Sequence, residues 1–420
     1  MTSPLAQADA VASTDVAQAE TLYKQILSTK AADDEGLRDQ ETALVRLGAI
    51  YKASGNADAL AELVTQSRSF MSNIAKAKTA KLIRTLIDAF PPEAREKQIT
   101  VVKDNIEWAR NESRVFLRQS LEVRLIGLQI ENQHYRPALA LIESLLKELK
   151  RLDDKMILTE VHLLESRVNH ATKNYAKAKA ALTSAKTAAA AIYCPPLLQA
   201  QLDMQSGILH TEDKDYKTGY SYFFETFEGF SGQDDDRALP ALKNMCLCKI
   251  MMSLPDDVAP ILALKAAAKY QGREVEAMQA VANALKERSL EMFEKALKDY
   301  SKVLLLIRCS VELHTDLLIR THLALLYDTL LEQNMVRVIE PYSTVELSYI
   351  AQEVGQPLNS VESKLSQMIL DGIFQGVLDQ EKGRLIVYDE PEKDPSEFGN
   401  GVELRKRRCI KQNSDALELW

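Results

Sequence analysis

Histidine and cysteine side chains are the residues of this chain that could bind a metal ion. His162 and His170 lie eight positions apart, whereas a metal-binding pair on a helix needs a spacing of three or four and a third ligand nearby. Cys246 and Cys248 flank Leu247 in an apolar stretch, which is typical of thiols packed in a core. The sequence therefore predicts helix histidines and core thiols, and no metal site.

Covalent catalysis and phosphate chemistry would need patterns that the chain lacks. No GxxxxGK phosphate loop, GxSxG nucleophile turn or HExxH zinc motif occurs in its 420 residues. Cys194 precedes Pro195 and Pro196 and has no base or cation beside it, so its thiol is not activated, and the proline pair more simply ends a helix. We therefore predict no catalytic residue, no cofactor and no enzyme activity.

The charge balance excludes another class of partner. The formal net charge is −8, from 52 basic and 60 acidic residues, so no global basic field attracts nucleic acid or an anionic membrane. Arg405–Arg408 is a basic run, for which a solvated segment is a commoner explanation than nuclear import. We expect neither a nucleic-acid partner nor a membrane partner.

Cysteine usage and the N-terminal segment indicate the compartment. The 5 cysteines are an odd number without CxxC pairs, which suits a reducing compartment. Met1–Thr14 has neither the basic nor the apolar region of a signal peptide, and the longest aliphatic run, Val303–Ile307, is too short to span a bilayer. We expect a soluble protein of the cytoplasm and nucleus.

The elements that carry these side chains are predicted to be helices arranged in repeats. Only 15 glycines and 13 prolines interrupt the chain. Three segments at nearly equal spacing begin with a tyrosine and have a small residue three positions later. These repeat-packing pairs are Tyr135 with Ala138, Tyr175 with Ala178, and Tyr216 with Gly219.

Each of these segments has two apolar stripes of helical period separated by a short polar break, which predicts a helical hairpin. A single hairpin cannot bury both faces, so consecutive hairpins stack. The sequence predicts a solenoid of TPR-like hairpins over residues 17–299, preceded by a flexible N-terminus at 1–16. Connecting helices follow at 300–341.

A different module is predicted at 342–390. Ser343 and Ser360 are placed to cap two short helices, and two apolar strands follow at Phe374–Leu378 and Leu385–Tyr388. Helix, turn, helix and β-hairpin together predict a winged helix with a small β-hairpin wing, so the fold class is an all-α solenoid followed by this module. A polar tail occupies 391–420.

The winged helix is expected to bind protein. The segment from Tyr342 to Glu390 contains eight acidic and three basic residues. In its second helix, Lys364 is the only basic residue that could bind a phosphate group. A two-stranded wing would leave one edge open, and we expect Leu385, Ile386 and Val387 to pair there with a strand of another subunit.

Several sequence strings resemble the PCI proteins of the proteasome lid, the signalosome and translation initiation factor three. The resemblance covers roughly Ala17 to Glu390. The strings are Ala181–Ala185, Ala191–Pro196, Leu202–Ile208, Leu326–Asp328, Leu330–Asn334, Val338–Pro341 and Lys364–Asp371.

This resemblance implies a non-catalytic scaffold subunit of the proteasome lid. Its solenoid would connect the lid to the ATPase ring and to the α subunits of the core particle, and its winged helix, the PCI module, would pack beside those of other lid subunits in a hetero-oligomer. It would support assembly for ubiquitin-dependent protein degradation. A scaffold subunit of a sister complex, the signalosome or initiation factor three, is the alternative.

The chain departs from the family pattern at two places. An apolar insert at 303–311 separates Asp299–Lys302 from Glu312, which follow each other directly in the family. The tail at 391–420 lacks the long amphipathic helix with which family members end. Each segment is compatible with a genuine part of the protein and with an error in the gene model.

Overall fold

The computed structural model describes residues 8, 16–28, 34–71, 76–91, 94–287, 289–290, 292–296, 313–380 and 382–388. The insert at 303–311, the tail at 391–420 and nearly all of the N-terminal segment 1–16 lie outside these residues. The chain divides into two compact units, the first ending at Leu209 and the second beginning at His210.

The first unit consists of successive helices, which confirms the predicted helical hairpins. They are α1 Val16–Ser28, α2 Asp34–Ser54, α3 Ala57–Met71, α4 Lys76–Asp88, α5 Arg95–Asn111, α6 Val115–Glu131, α7 Tyr135–Leu152, α8 Lys155–Ala171, α9 Tyr175–Ala190 and α10 Pro196–Glu212, whose last residues belong to the second unit.

Four turns of this unit contain a left-handed residue at a regular interval. Ser113, Gln133, Asp153 and Lys173 follow four successive helices at equal intervals, with left-handed φ angles of 53°, 61°, 53° and 60°. After Gln133, the amide of His134 donates to the carbonyl of Gln129 in the last turn of α6 at 2.8 Å. This is the Schellman ending of a helix, usually built on glycine. The interval between the repeated tyrosines of the sequence therefore corresponds to two such helix steps.

Packing between the hairpins explains why two of the small residues are small. Ala138 and Ala178 are fully buried, each in a cluster with side chains of the neighbouring helix. The hydroxyl of Ser166 in α8 donates to the carbonyl of Ala178 in α9 at 2.9 Å. The amide of Gln205 in α10 donates to Ser166 Oγ at 3.4 Å, so a polar chain links three consecutive helices.

The second unit contains further helices and a small sheet. They are α11 Tyr216–Ser231, α12 Ala238–Met251, α13 Val258–Leu262, α14 Arg273–Glu287, α15 Leu313–Ile339, β1 Thr344–Glu346, α16 Leu347–Val354, α17 Leu358–Leu370, β2 Gln375–Asp379 and β3 Arg384–Tyr388. Helices α16 and α17 with strands β2 and β3 confirm the predicted winged helix.

The sheet has one strand more than the sequence predicts. The strands are antiparallel in the order β1–β3–β2. The predicted helix cap at Ser343 is wrong, because Thr344–Glu346 pairs with β3 and helix α16 begins only at Leu347. The predicted cap at Ser360 is also wrong, since α17 begins at Leu358 directly after a proline whose fixed φ suits a helix start.

Candidate protein-binding surface of the winged helix

The inner face of the sheet packs on the two short helices. Val345, Leu385 and Val387 point to this side because side chains alternate along a strand, and all three are buried. Helices α16 and α17 add Leu347, Ile350, Val361, Leu365 and Met368. Leu385 and Val387 are therefore core residues, and their side chains are not available to a partner.

The prediction that β3 is an open edge of the wing is wrong, and the strand order shows why. β3 is the central strand, in which Leu385 faces Val345 of β1 on one side and Leu378 of β2 on the other. Its backbone groups are paired along both sides, so no strand of another protein can add to it. Among the described strands, β1 and β2 are the edges of the sheet.

The outer face of the sheet carries an apolar patch. Val377 lies opposite Ile386, and Gln375 lies opposite Tyr388, so these side chains share the face away from the core. Val377 is 50% and Tyr388 is 49% exposed, while Ile386 is half-buried between the strands. We call Val377, Ile386 and Tyr388 the outer sheet patch. The outer sheet patch makes this face a candidate surface for binding another protein.

The patch adjoins the open edge of β2. This strand, Gln375–Asp379, contains no proline or lysine and a single charge, whereas natural edge strands usually carry such residues to prevent pairing with other chains. A Cβ atom at Gly376 would lie 2.6 Å from the carbonyl oxygen of Ile386, so only glycine lets β2 approach β3 this closely. Among the described strands β2 is thus an edge without such protection, whereas the sequence predicted an open edge at β3.

The second helix of the module is not equipped to bind DNA. The ammonium group of Lys364 lies 2.9 Å from Glu332 of α15, and the two side chains are only 13% and 27% exposed. The only cationic side chain of α17 is therefore already paired with a carboxylate of the same chain. No helix of the described residues combines the length and the apolar character needed to cross a membrane.

A polar cluster holds the winged helix to the helices before it. The hydroxyl of Tyr327 in α15 donates to Glu294 at 3.1 Å. The amide of Gln356, between α16 and α17, donates to the same carboxylate at 3.1 Å and to the Tyr327 hydroxyl at 2.9 Å. Burial and the adjacent carboxylate raise the pKa of Tyr327 to about 12, so the phenol stays a donor at physiological pH.

The residues that could have formed a metal site are dispersed. His162 Nδ1 lies 2.9 Å from a carboxylate oxygen of Glu165, and His170 packs its ring against Tyr175. Within the described ranges, no three His, Cys, Asp or Glu side chains are close enough together to hold a metal ion. Burial raises the pKa values of Cys246 and Cys248 to about 12, as expected for thiols in a core.

A buried contact between His322 and Tyr216 was not predicted from the sequence. The ring of His322 in α15 meets Tyr216 at the start of α11, with a distance of 3.5 Å from Nδ1 to the tyrosine hydroxyl. His322 is almost fully buried, and burial lowers its pKa below the usual value, so the ring is neutral. The two residues are 106 positions apart, and no local pattern could have joined them. The repeat-packing roles expected of Tyr135, Tyr175, Tyr216 and Gly219 stay predictions.

Comparison with known proteins agrees with this architecture. Residues 1–132 match the family profile described as the 26S proteasome regulatory subunit RPN6 N-terminal domain, and residues 297–389 match the PCI domain. The chain is 53% identical to the probable 26S proteasome regulatory subunit rpn6 of Schizosaccharomyces pombe, over 92% of this chain and 90% of the relative.

Two further relatives extend the comparison to other organisms. The chain is 49% identical to the 26S proteasome non-ATPase regulatory subunit 11 homolog of Arabidopsis thaliana, over 90% of this chain and 88% of the relative. It is 46% identical to the 26S proteasome regulatory subunit RPN6 of Saccharomyces cerevisiae, over 92% and 91%. The resemblance to PCI proteins of the proteasome is confirmed, and the chain belongs to the Rpn6 family of 26S proteasome regulatory subunits.

Proposed function

We propose that the chain is a non-catalytic scaffold subunit of the 26S proteasome lid. In this role it connects the lid to the ATPase ring and to the α subunits of the core particle, and it supports the assembly that ubiquitin-dependent degradation requires. The observation that carries the proposal is the identity of 46–53% with relatives named as proteasome regulatory subunits, over about nine tenths of each chain.

The winged helix supplies the contact with other PCI subunits. A strand of a neighbouring subunit adds to the open edge of β2 by main-chain hydrogen bonds, and its side chains cover the outer sheet patch. The exposure of Val377 and Tyr388 beside an unprotected edge supports this arrangement. The interface role that the sequence analysis assigned to β3 thus moves to β2.

The test replaces the rpn6 gene of S. pombe by one encoding this chain with an affinity tag. We expect the tagged chain to co-sediment with lid, ATPase ring and core particle and to sustain growth. Sedimentation with subunits of the signalosome or initiation factor three would instead establish the sister-complex alternative. A chain that sediments alone while a tagged native Rpn6 assembles would refute the proposal.

A pair of variants tests the contact surface. Val377→Asp places a charge in the outer sheet patch and should reduce incorporation into the lid at least about tenfold, because an unpaired carboxylate would be buried against the partner. Leu325→Asp, at an exposed apolar residue of α15, is the matched control and should assemble normally. Equal incorporation of both variants would show that the sheet of the winged helix is not part of the interface.

We also propose that the assembled protein occupies the cytoplasm and the nucleus. A fluorescent fusion expressed from the same locus should show both compartments. Fluorescence confined to a membrane-bounded organelle other than the nucleus would contradict this expectation.

A further inference from the structure

Helix α9 carries an unusual distribution of charge. Between Glu165 and Asp203 the chain contains no acidic residue, although the whole protein has a net charge of −8. The basic residues of this stretch are Arg167, Lys173, Lys177, Lys179 and Lys186. Lys173 and Lys177 are exposed and form no ion pair within the described part of the chain.

The exposed side of α9 consists mainly of small side chains with lysines beside them. Its outward positions are occupied by small residues, flanked by Lys177 on one side and by Lys179 and Lys186 on the other. We define the basic face of α9 as Lys177 together with the small exposed residues beside it. These small residues are Ala176, Ala180, Thr183, Ser184 and Thr187. The hydroxyls of Thr183, Ser184 and Thr187 donate to carbonyls one turn back at 2.8–3.0 Å.

These contacts lower the cost of covering the face. A hydroxyl that already donates within its own helix loses little when water is removed, and its methyl or methylene groups remain available for packing. Small side chains also let a second helix approach to an axial distance of about 8 Å. With 16 residues, α9 offers a contact about 24 Å long.

The neighbouring outer helix shows what an ordinary solvated surface looks like in this protein. On α7 the exposed Lys147 pairs with Glu143 one turn away at 2.8 Å, so charges of both signs alternate. Within α9 itself no such pair can form, because the helix contains no acidic residue. The exposed cations of α9 are therefore not balanced by any carboxylate of their own helix.

We infer that the basic face of α9 binds an acidic, helix-forming segment of a partner protein. The partner helix lies on the small residues, and its carboxylates meet Lys177 and the adjacent Lys173. The inference concerns the first unit alone and does not depend on the proposed contact of the winged helix.

The test measures binding of a labelled peptide to the purified full chain by fluorescence anisotropy. The probe is a helical peptide of alanine and glutamate, matched to α9 in length, with a lysine-containing peptide of equal length as the negative probe. Lys173→Glu with Lys177→Glu should weaken binding of the acidic peptide about tenfold or more. Lys150→Glu with Arg151→Glu on α7 is the control, because it changes the net charge equally at other exposed residues.

The control variant should bind within about twofold of the unmodified chain. Equal losses in both variants would show that only net charge matters and would overturn the inference. Tighter binding of polyuridylate RNA at the same lysines would also overturn it, since the face would then be a nucleic-acid surface. Circular dichroism of each variant separates loss of binding from loss of folding.

A photo-crosslinking residue at Thr183 tests the inference in the assembled complex. Crosslinks should fall on a peptide that is rich in glutamate or aspartate and helical, while a crosslinker at Ser144 on α7 should not reach it. Crosslinks only to peptides without acidic character would contradict the inference, even if the chain assembles into the proteasome normally.

Discussion

Replacing Gln133 by glycine is expected to stabilise the α6–α7 hairpin. Gln133 has a φ of 61°, in the left-handed region where a Cβ atom clashes with the following carbonyl oxygen. Its side chain is exposed and its amide donates to the carbonyl of Ile130, a bond that glycine retains. The substitution therefore removes strain without removing a hydrogen bond.

The magnitude follows from two opposing contributions to the free energy of unfolding. Left-handed backbone costs about 1–2 kcal/mol for a residue other than glycine. Glycine loses about 0.5–1 kcal/mol more than alanine in conformational entropy on folding. The net gain is about 0.5–1 kcal/mol. Ala140→Gly, at an exposed position inside α7, should instead cost about 1 kcal/mol because it incurs only the entropic loss.

Hydrogen–deuterium exchange resolves these effects within one hairpin. Amides of α6 and α7 should exchange about two- to fivefold more slowly in Gln133→Gly and about fivefold faster in Ala140→Gly, while amides of the second unit should not change. The reasoning is refuted if Gln133→Gly speeds exchange as much as Ala140→Gly does. Gln133→Ala retains the Cβ atom and should therefore leave exchange nearly unchanged; exchange slowed as much as in Gln133→Gly would show that removal of the Cβ atom is not the cause.

Three more predictions concern the second unit. Gly376→Ala should destabilise the sheet by about 1–3 kcal/mol in urea unfolding, because its methyl group meets a carbonyl oxygen at 2.6 Å; an unchanged midpoint would show that β2 can move away. With pKa values of about 12, Cys246 and Cys248 should react with iodoacetamide at pH 8 at least about 100-fold more slowly in the native protein than in urea, and equal rates would contradict their burial. Glu332→Gln should lower the free energy of unfolding by about 1–3 kcal/mol, because it leaves the Lys364 ammonium partly buried without a counter-charge. Adding Lys364→Met to this variant should recover most of the lost free energy. A double variant as unstable as Glu332→Gln alone would contradict this account.

The helical hairpins of the first unit could be predicted because their determinants are local. Apolar residues three and four positions apart define a helix face, and a polar break between Leu128 and Ile142 marks one turn. The conformation of that turn could not be predicted in the same way. The left-handed positions are occupied by residues such as Gln133 and Lys173, and not by glycine, so the sequence contains no signal for them. The regular interval between these turns is seen only in the backbone of the folded chain.

The candidate binding surface was predicted less well than the fold that carries it. The sequence predicts the two strands of the wing within one residue, and it includes Ile386, which lies in the outer sheet patch. It cannot tell which strand of the sheet is the edge. That depends on Thr344–Glu346, a short segment with no strand signal of its own, which pairs with Arg384–Ile386 beyond both helices of the module.

Sequence alone therefore determined the class of the hairpin helices and of the two wing strands, because helix periodicity and strand alternation act between residues a few positions apart; it did not reveal β1. Tertiary structure decided which side chains remain available to a partner. It buried Leu385 and Val387, exposed Val377, and paired Lys364 with Glu332 of the long helix that precedes the module. Such choices depend on contacts between distant parts of the chain, which form only when the elements pack together.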